Sequence, residues 1–403
     1  MTTLERFLKY ISIDTTSSSK STTFPSTKTQ FELIELLQQE LEQLGIKSII
    51  YDKENCYLYA CLKGDDKLQK VGFISHLDTS ENACGKVISP KIISNYNGEN
   101  IELNKNVILD LKTYPDLKNH KGKTIITTDG TTLLGADDKA GIAEIMTMLE
   151  HFSKTRDRHG DIYVCFTPDE EIGKSTDKFN KENFPVNYAY TIDGSDLGEL
   201  SYENFNAATA YVDIEGNCTH TGYAKGIMIN SLLVANEFIS SLPSCETPET
   251  TEEYEGFFHL ETVEGDVNHT KLQYLIRDFD RENFARRKRR IEELSENLSK
   301  KYSTKITTEI KDSYQNMKNT IEKDMKVVDI VKTAMNNLNI KPLIKPIRGG
   351  TDGAALSSMG IACPNIGTGG HNFHGVTEYI ALEDMEKTSE ILIAIVKEVS
   401  SIK

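Results

Sequence analysis

Apolar positions in the first half of the chain follow two alternating periods. Phe31–Gly45 (FELIELLQQELEQLG) spaces its apolar residues for one helix face, and Gly45 stands where a helix C-cap is expected. Val71–Ser75, Ile162–Phe166 and Tyr188–Ile192 are short β-branched or aromatic runs and predict buried strands. Ile142, Ile145, Met146, Leu149 and Phe152 fall on one stripe, behind an acidic start at Asp137 and Asp138, which predicts a helix. Alternation of this kind predicts an α/β fold, with a mostly parallel sheet covered by helices on both faces.

Between about 207 and 318 the pattern changes. Thr209–Glu215, Phe257–Val263, Lys271–Phe279 and Thr304–Ile310 read as strands, with helices at Ile227–Leu242 and Arg281–Lys300. The order βαββαβ predicts a self-contained ferredoxin-like unit. Helical periodicity resumes at Val327–Leu338 and Leu382–Val399, with a strand near Leu343–Ile347. The expected organisation is a discontinuous domain, 1–206 with 319–403, into which 207–318 is inserted.

The 403 residues suit two or three domains. The charge balance is 46 − 61 = −15, which repels nucleic acid and anionic lipid. The basic run Arg286–Arg290 (RRKRR) lies in a charged helical pattern and reads as a solvated face with partners such as Glu293. No apolar run approaches the roughly 18–20 residues of a membrane helix, and the charged N-terminus predicts no export. Seven scattered cysteines without a CxxC pair predict reduced thiols in the cytosol.

Acidic and imidazole groups gather where predicted strands end. In ISHLDT, His76 and Asp78 are two apart and project together from a strand. LGADDKAG opens onto a helix with Asp137 and Asp138, which would also serve as capping residues. TPDEEIG sets Asp169, Glu170 and Glu171 after a strand, where three acids are costly unless solvated or coordinating a cation. TIDG ends on Asp193, and GGHNFHGVTE supplies His371, His374 and Glu378. In an open α/β sheet, ligand sites form beyond the carboxyl ends of the strands. Imidazoles and carboxylates without thiolate suit Zn²⁺ or a similar ion, a bridging carboxylate suits two, and one acid must stay free as a base.

These motifs, with EGNCTHTG, RDFD and IRGGTDGAAL, resemble those of the M20 metallopeptidases along nearly the whole chain. The resemblance implies two Zn²⁺ ions per subunit, with Co²⁺ or Mn²⁺ as substitutes. It implies His76 and Asp193 as ligands of one ion, Glu171 and His374 as ligands of the other, and Asp138 bridging both. Asp78 would orient His76, and Glu170 would be the general base. Asp137 and Asp169 are left as loop or supporting groups, and His371 competes with His374 only if the loop register differs. The insert resembles the family's lid or dimerisation domain and implies a homodimer, with His220 stabilising the oxyanion. Arg277, Arg348 and Asn230 match positions that hold the substrate. The implied activity is a cytosolic aminopeptidase acting on short peptides, tripeptides foremost. A dipeptidase, an N-acyl amino-acid amidohydrolase and a non-catalytic peptide-binding module are the alternatives.

Overall fold

The apolar runs of the first half become the centre of a mixed sheet. The computed structural model describes residues 1–85 and 89–402. Among them, eight strands pair in the order Ser48–Asp52, Tyr57–Leu62, Ile162–Thr167, Val71–His76, Tyr188–Gly194, Asn365–Gly367, Glu199–Ser201 and Leu343–Ile344. The four central strands, from Ile162–Thr167 to Asn365–Gly367, are mutually parallel. Every residue of Val71–His76 and of Ile162–Thr167 is buried, which is why these strands read as unbroken apolar runs. The helix Ala136–Lys154 packs on Val71–His76 and Tyr188–Gly194, and also against Thr3–Ile11 and Leu382–Ser401. On the other side, Ile74 joins Tyr59, Cys165, Phe184 and Leu356 in a second core cluster, Leu356 belonging to the helix Asp352–Ser358.

A smaller antiparallel sheet was not visible in the periodicity, because its strands are only two or three residues long. Its order is Gly370–His371, Tyr379–Ala381, Ile125–Thr127, Lys91–Ile93. This sheet brings the 372–378 loop beside the turn that leads into helix Ala136–Lys154.

The chain divides into two compact units. One comprises Met1–Tyr202, Asn319–Lys345 and Thr351–Lys403, and the other Glu203–Lys318 with Pro346–Gly350. The second unit has a four-stranded antiparallel sheet in the order Phe257–Gly265, His269–Asp278, Asn206–Glu215, Ile306–Tyr314. Its helices Ser231–Ser240 and Arg281–Tyr302 contribute Val234, Phe238, Phe284, Ile291, Leu294 and Leu298 to one core. The first of these helices starts four residues later than its apolar pattern predicts, because Asn230 caps it by accepting from the Leu232 N–H at 3.0 Å. Within RRKRR the partners are on other elements, not at i+4. Arg287 pairs with Asp278 at 2.7 Å and with Glu246, and Lys288 pairs with Asp312 at 2.8 Å.

Gly141 marks how closely the helix Ala136–Lys154 must approach the strand ends. A Cβ there would lie 2.1 Å from the Ile192 carbonyl oxygen and 2.5 Å from Asp138 Oδ1. Gly141→Ala is therefore expected to destabilise the protein by about 1–3 kcal/mol through overpacking. A denaturant midpoint matching the wild type would refute this close approach.

Candidate metal centre

Parallel strands end on the same edge, so the groups that follow them are neighbours. His76 closes Val71–His76 and is paired in register with Thr167, while Asp193 lies near the end of Tyr188–Gly194. Asp78, fully buried, ties this edge together. Its Oδ1 accepts from Glu170 N at 2.9 Å and its Oδ2 from Glu171 N at 3.2 Å, and Oδ1 stands 3.4 Å from His76 Nδ1. His76 Nδ1 donates to the Asp78 carbonyl at 3.0 Å, which leaves Nε2 to act as the ligand once it is deprotonated.

Two clusters of potential ligands result, His76 with Asp137 and Asp193, and Asp137 with Glu171 and His374. His76 Nε2 is 2.9 Å from Asp137 Oδ1 and 3.6 Å from Asp193 Oδ1. His374 Nε2 is 3.2 Å from Asp137 Oδ2 and 2.9 Å from Glu171 Oε2. Ligand atoms held at roughly 2.0–2.1 Å around a tetrahedral ion stand about 3.3 Å apart, so these spacings fit two ions sharing Asp137. Glu171 Oε1 fits this reading too, as a buried oxygen with no protein hydrogen-bond partner among the described residues.

The residue common to both candidate clusters is Asp137, which differs from the expectation of Asp138. Both depart from helical geometry at the helix start, Asp137 at φ −87°, ψ 102° and Asp138 at φ −123°, ψ 30°. Their side chains consequently leave the backbone in different directions. Asp138 turns inward, where its Oδ2 accepts from Ser75 Oγ and from His76 N at 3.1 Å. It supports the strand end from beneath and joins neither ligand cluster.

Comparisons with known proteins give the family of the chain. The model of peptidase family M20/M25/M40 matches residues 127–398. Peptidase T of Clostridium perfringens is 51% identical over 398 residues, covering 98% of both chains. Peptidase T of Caldanaerobacter subterraneus is 50% identical over 400 residues, again covering 98% of each. The chain belongs to peptidase family M20/M25/M40. It is a hydrolase of the peptidase class. The fold is shared with the aminopeptidase PepT from Bacillus cereus at a TM-score of 0.80 and 22% identity, with 99% of this chain and 98% of that one covered. A dinuclear metal-binding M20 peptidase from Bacillus subtilis aligns at a TM-score of 0.66 and 12% identity, over 99% and 98%.

Other expected residues of this M20 chain sort by their surroundings. His371 lies on the short strand Gly370–His371, stacked on Tyr379 with 4.9 Å between ring centroids and edge-on to His120, and it joins neither cluster. His374, three residues on, has φ +63° in the turn that follows. Asp169 faces away, accepting from Ser26 N at 2.6 Å and Gln30 Nε2 at 2.7 Å, so it anchors the Ser/Thr-rich N-terminal loop. In the second unit, Arg348 is not a free fork for a carboxylate, as expected of a substrate ligand. Its Nη1 donates to the Glu253 and Glu255 carbonyls at 2.9 and 3.0 Å, and its Nη2 to Thr251 Oγ1 at 2.8 Å. Arg277 lies half-buried over Tyr314, with Nη1 donating to the Ile276 carbonyl at 3.0 Å. Exposed His220 accepts from Gly222 N at Nδ1, 3.1 Å, which places the proton of its neutral ring on Nε2.

Electrostatics divide the acids by duty. Burial raises Asp137, but hydrogen bonds with His374 and His76 prevail and hold it far below the usual carboxylate range. Burial pushes Asp193 up to about 7. Glu170 is raised well above the usual range by burial and by the nearby Asp193 charge, and it stands outside both clusters. His374 is pushed up to about 10 by hydrogen bonds with Asp137 and Glu171. For His76, burial opposes the charged ring, yet bonds to Asp137, Asp193 and Asp78 outweigh it and raise its pKa.

Raised imidazole pKa values mean that both rings carry a proton at pH 7 in the metal-free protein and must release it to coordinate. Metal affinity should therefore climb with pH from neutrality toward about 10. Calorimetric titration with Zn²⁺ in two buffers of different ionisation enthalpy should register at least two protons released per chain at pH 7, since Asp193, raised to about 7, adds to the two rings. Binding without proton release would contradict the pairing of these rings with Asp137.

Proposed function

We propose that this protein is a zinc-dependent aminopeptidase that releases the N-terminal residue of tripeptides in the cytosol. The observation that carries the reading is Asp137, common to the two three-residue ligand clusters, with Glu170 outside them and feeling the charge of Asp193. The identity of about half of all positions with peptidase T, over 98% of the chain, supports the substrate class. Two imidazoles and three carboxylates without a thiolate favour Zn²⁺ in an open site, with Co²⁺ and Mn²⁺ as substitutes. Free thiols at all seven cysteines support a reducing compartment.

His76 and Asp193 would hold one ion, Glu171 and His374 the other, and Asp137 both. Ions bound there would polarise the scissile carbonyl and acidify the attacking water. Glu170 takes the proton of that water as it attacks and delivers it to the leaving amine, a role that its raised proton affinity suits. Asp78 keeps Glu170 and Glu171 in register with His76 through its two backbone hydrogen bonds. His220, whose Nδ1 accepts from Gly222 N, is the residue that would donate to the oxyanion from Nε2. Arg277 binds the peptide carboxylate and Asn230 supports the same end, which would give length selection.

The test is turnover of one unmodified tripeptide, its N-acetylated form and the matching dipeptide by metal-loaded protein. Release of the first residue from the free tripeptide alone is expected, whereas turnover of the acetylated peptide or the dipeptide instead would contradict the reading. In the same assay Glu170→Gln should lower kcat by at least roughly 10²–10⁴-fold with both metals retained. Substantial residual activity would exclude Glu170 as the base. Arg277→Ala should raise KM for the tripeptide and narrow its advantage over the dipeptide, and unchanged length selectivity would exclude the carboxylate contact.

A further inference from the structure

The helix Ala136–Lys154 begins without a side-chain cap of its own. Its N-cap is Gly135, at φ +79°, which has no side chain to accept from the first N–H groups. Those groups have no acceptor within the helix and must find one elsewhere or remain unsatisfied. The acceptor comes from far along the chain. Glu378, 1% exposed, receives Leu134 N at 2.7 Å and Gly135 N at 2.9 Å on Oε2, and Asp137 N at 3.1 Å on Oε1. A carboxylate is also favoured at a helix N-terminus by the helix dipole.

Glu378 is itself fixed. Its carbonyl accepts from Thr127 Oγ1 at 2.9 Å, and the strand Tyr379–Ala381 that follows pairs in register with Ile125–Thr127. It also closes the loop that carries His374, four residues before it. One side chain therefore ties the segment bearing His374 to the backbone of Asp137, the residue common to both ligand clusters. Asp78 makes the corresponding tie on the other flank, between the strand end at His76 and the Glu170–Glu171 turn.

We propose that Glu378 is a positioning residue for both metal sites at once, acting through the backbone of Asp137. This rests on the dinuclear metal reading above. Glu378 is not a ligand, since its two oxygens already face three backbone N–H groups. Glu378→Gln replaces one acceptor oxygen by an NH₂ donor, which opposes either the Leu134 and Gly135 pair or Asp137 N. Glu378→Asp keeps two oxygens but withdraws them by one methylene. Because Asp137 serves both clusters, either variant weakens both sites in parallel. Removal of a terminal ligand, as in Asp193→Ala, weakens one.

The experiment is calorimetric titration of metal-free wild type, Glu378→Gln, Glu378→Asp and Asp193→Ala with Zn²⁺, together with thermal unfolding of each without metal. The expected result is a loss of roughly 10–100-fold in affinity at both sites for Glu378→Gln, the range for residues that orient metal ligands. Glu378→Asp should lose less at each, and Asp193→Ala should lose one site alone. If Glu378→Gln does not fold, the parallel loss at both sites must appear in Glu378→Asp. Affinity within twofold of wild type in a folded variant, or loss confined to one site, would overturn the proposal. Wild type that takes up no Zn²⁺ would overturn the metal reading itself, a result distinct from wild type that binds two ions beside an unaffected Glu378 variant.

Discussion

Asp137 turns one oxygen toward His76 and the other toward His374, two imidazoles from opposite ends of the chain. A buried carboxylate cannot stay charged in that position without partners of opposite sign or a cation. Much of the surrounding structure keeps this arrangement in place. The parallel strands deliver His76, Asp193 and the Glu170–Glu171 turn to one edge. The small antiparallel sheet delivers the His374 loop to the same place, and the close helix approach at Gly141 fixes where the helix bearing Asp137 starts.

Hydrogen bonds from backbone N–H groups to buried carboxylates recur as the connecting device. Asp78, Glu378 and Asp169 each receive N–H groups from a different segment, and each ties a loop to this edge or to a segment leading into it. Such bonds are directional and charge-assisted, so they position loops more sharply than apolar contact would. They also leave a division among the acids of TPDEEIG that composition alone does not reveal. Asp169 anchors, Glu171 faces the imidazole of His374, and Glu170 remains outside the ligand clusters.

The core strands and long helices were legible because their side-chain periods are unambiguous, and the ligand motifs were legible because they follow those strands. Asp137 and Asp138 were not separable on that basis. They are adjacent acids at a helix start, and which one faces the site depends on two non-helical backbone conformations that no periodicity encodes. The resemblance already implied His374 over His371 as the second imidazole, and the fold sets the two apart, His371 in a two-residue strand and His374 in the turn after it. Arg348 reads as a substrate fork from its motif, yet its donors are taken by carbonyls of the 251–255 loop, a contact invisible without the fold. Glu378 was visible as a polar residue near the second imidazole. Its role as a remote helix cap required knowing that the 372–378 loop and the Gly135 turn are neighbours.

The central claim is that Asp137, and not Asp138, is common to two metal ions. An anomalous difference map from crystals grown with Zn²⁺ tests it most directly. Two peaks about 3.5–4 Å apart, each contacted by a different oxygen of Asp137, with Asp138 still on Ser75, is the result this structure predicts. A single peak, or a pair bridged by Asp138, would contradict it.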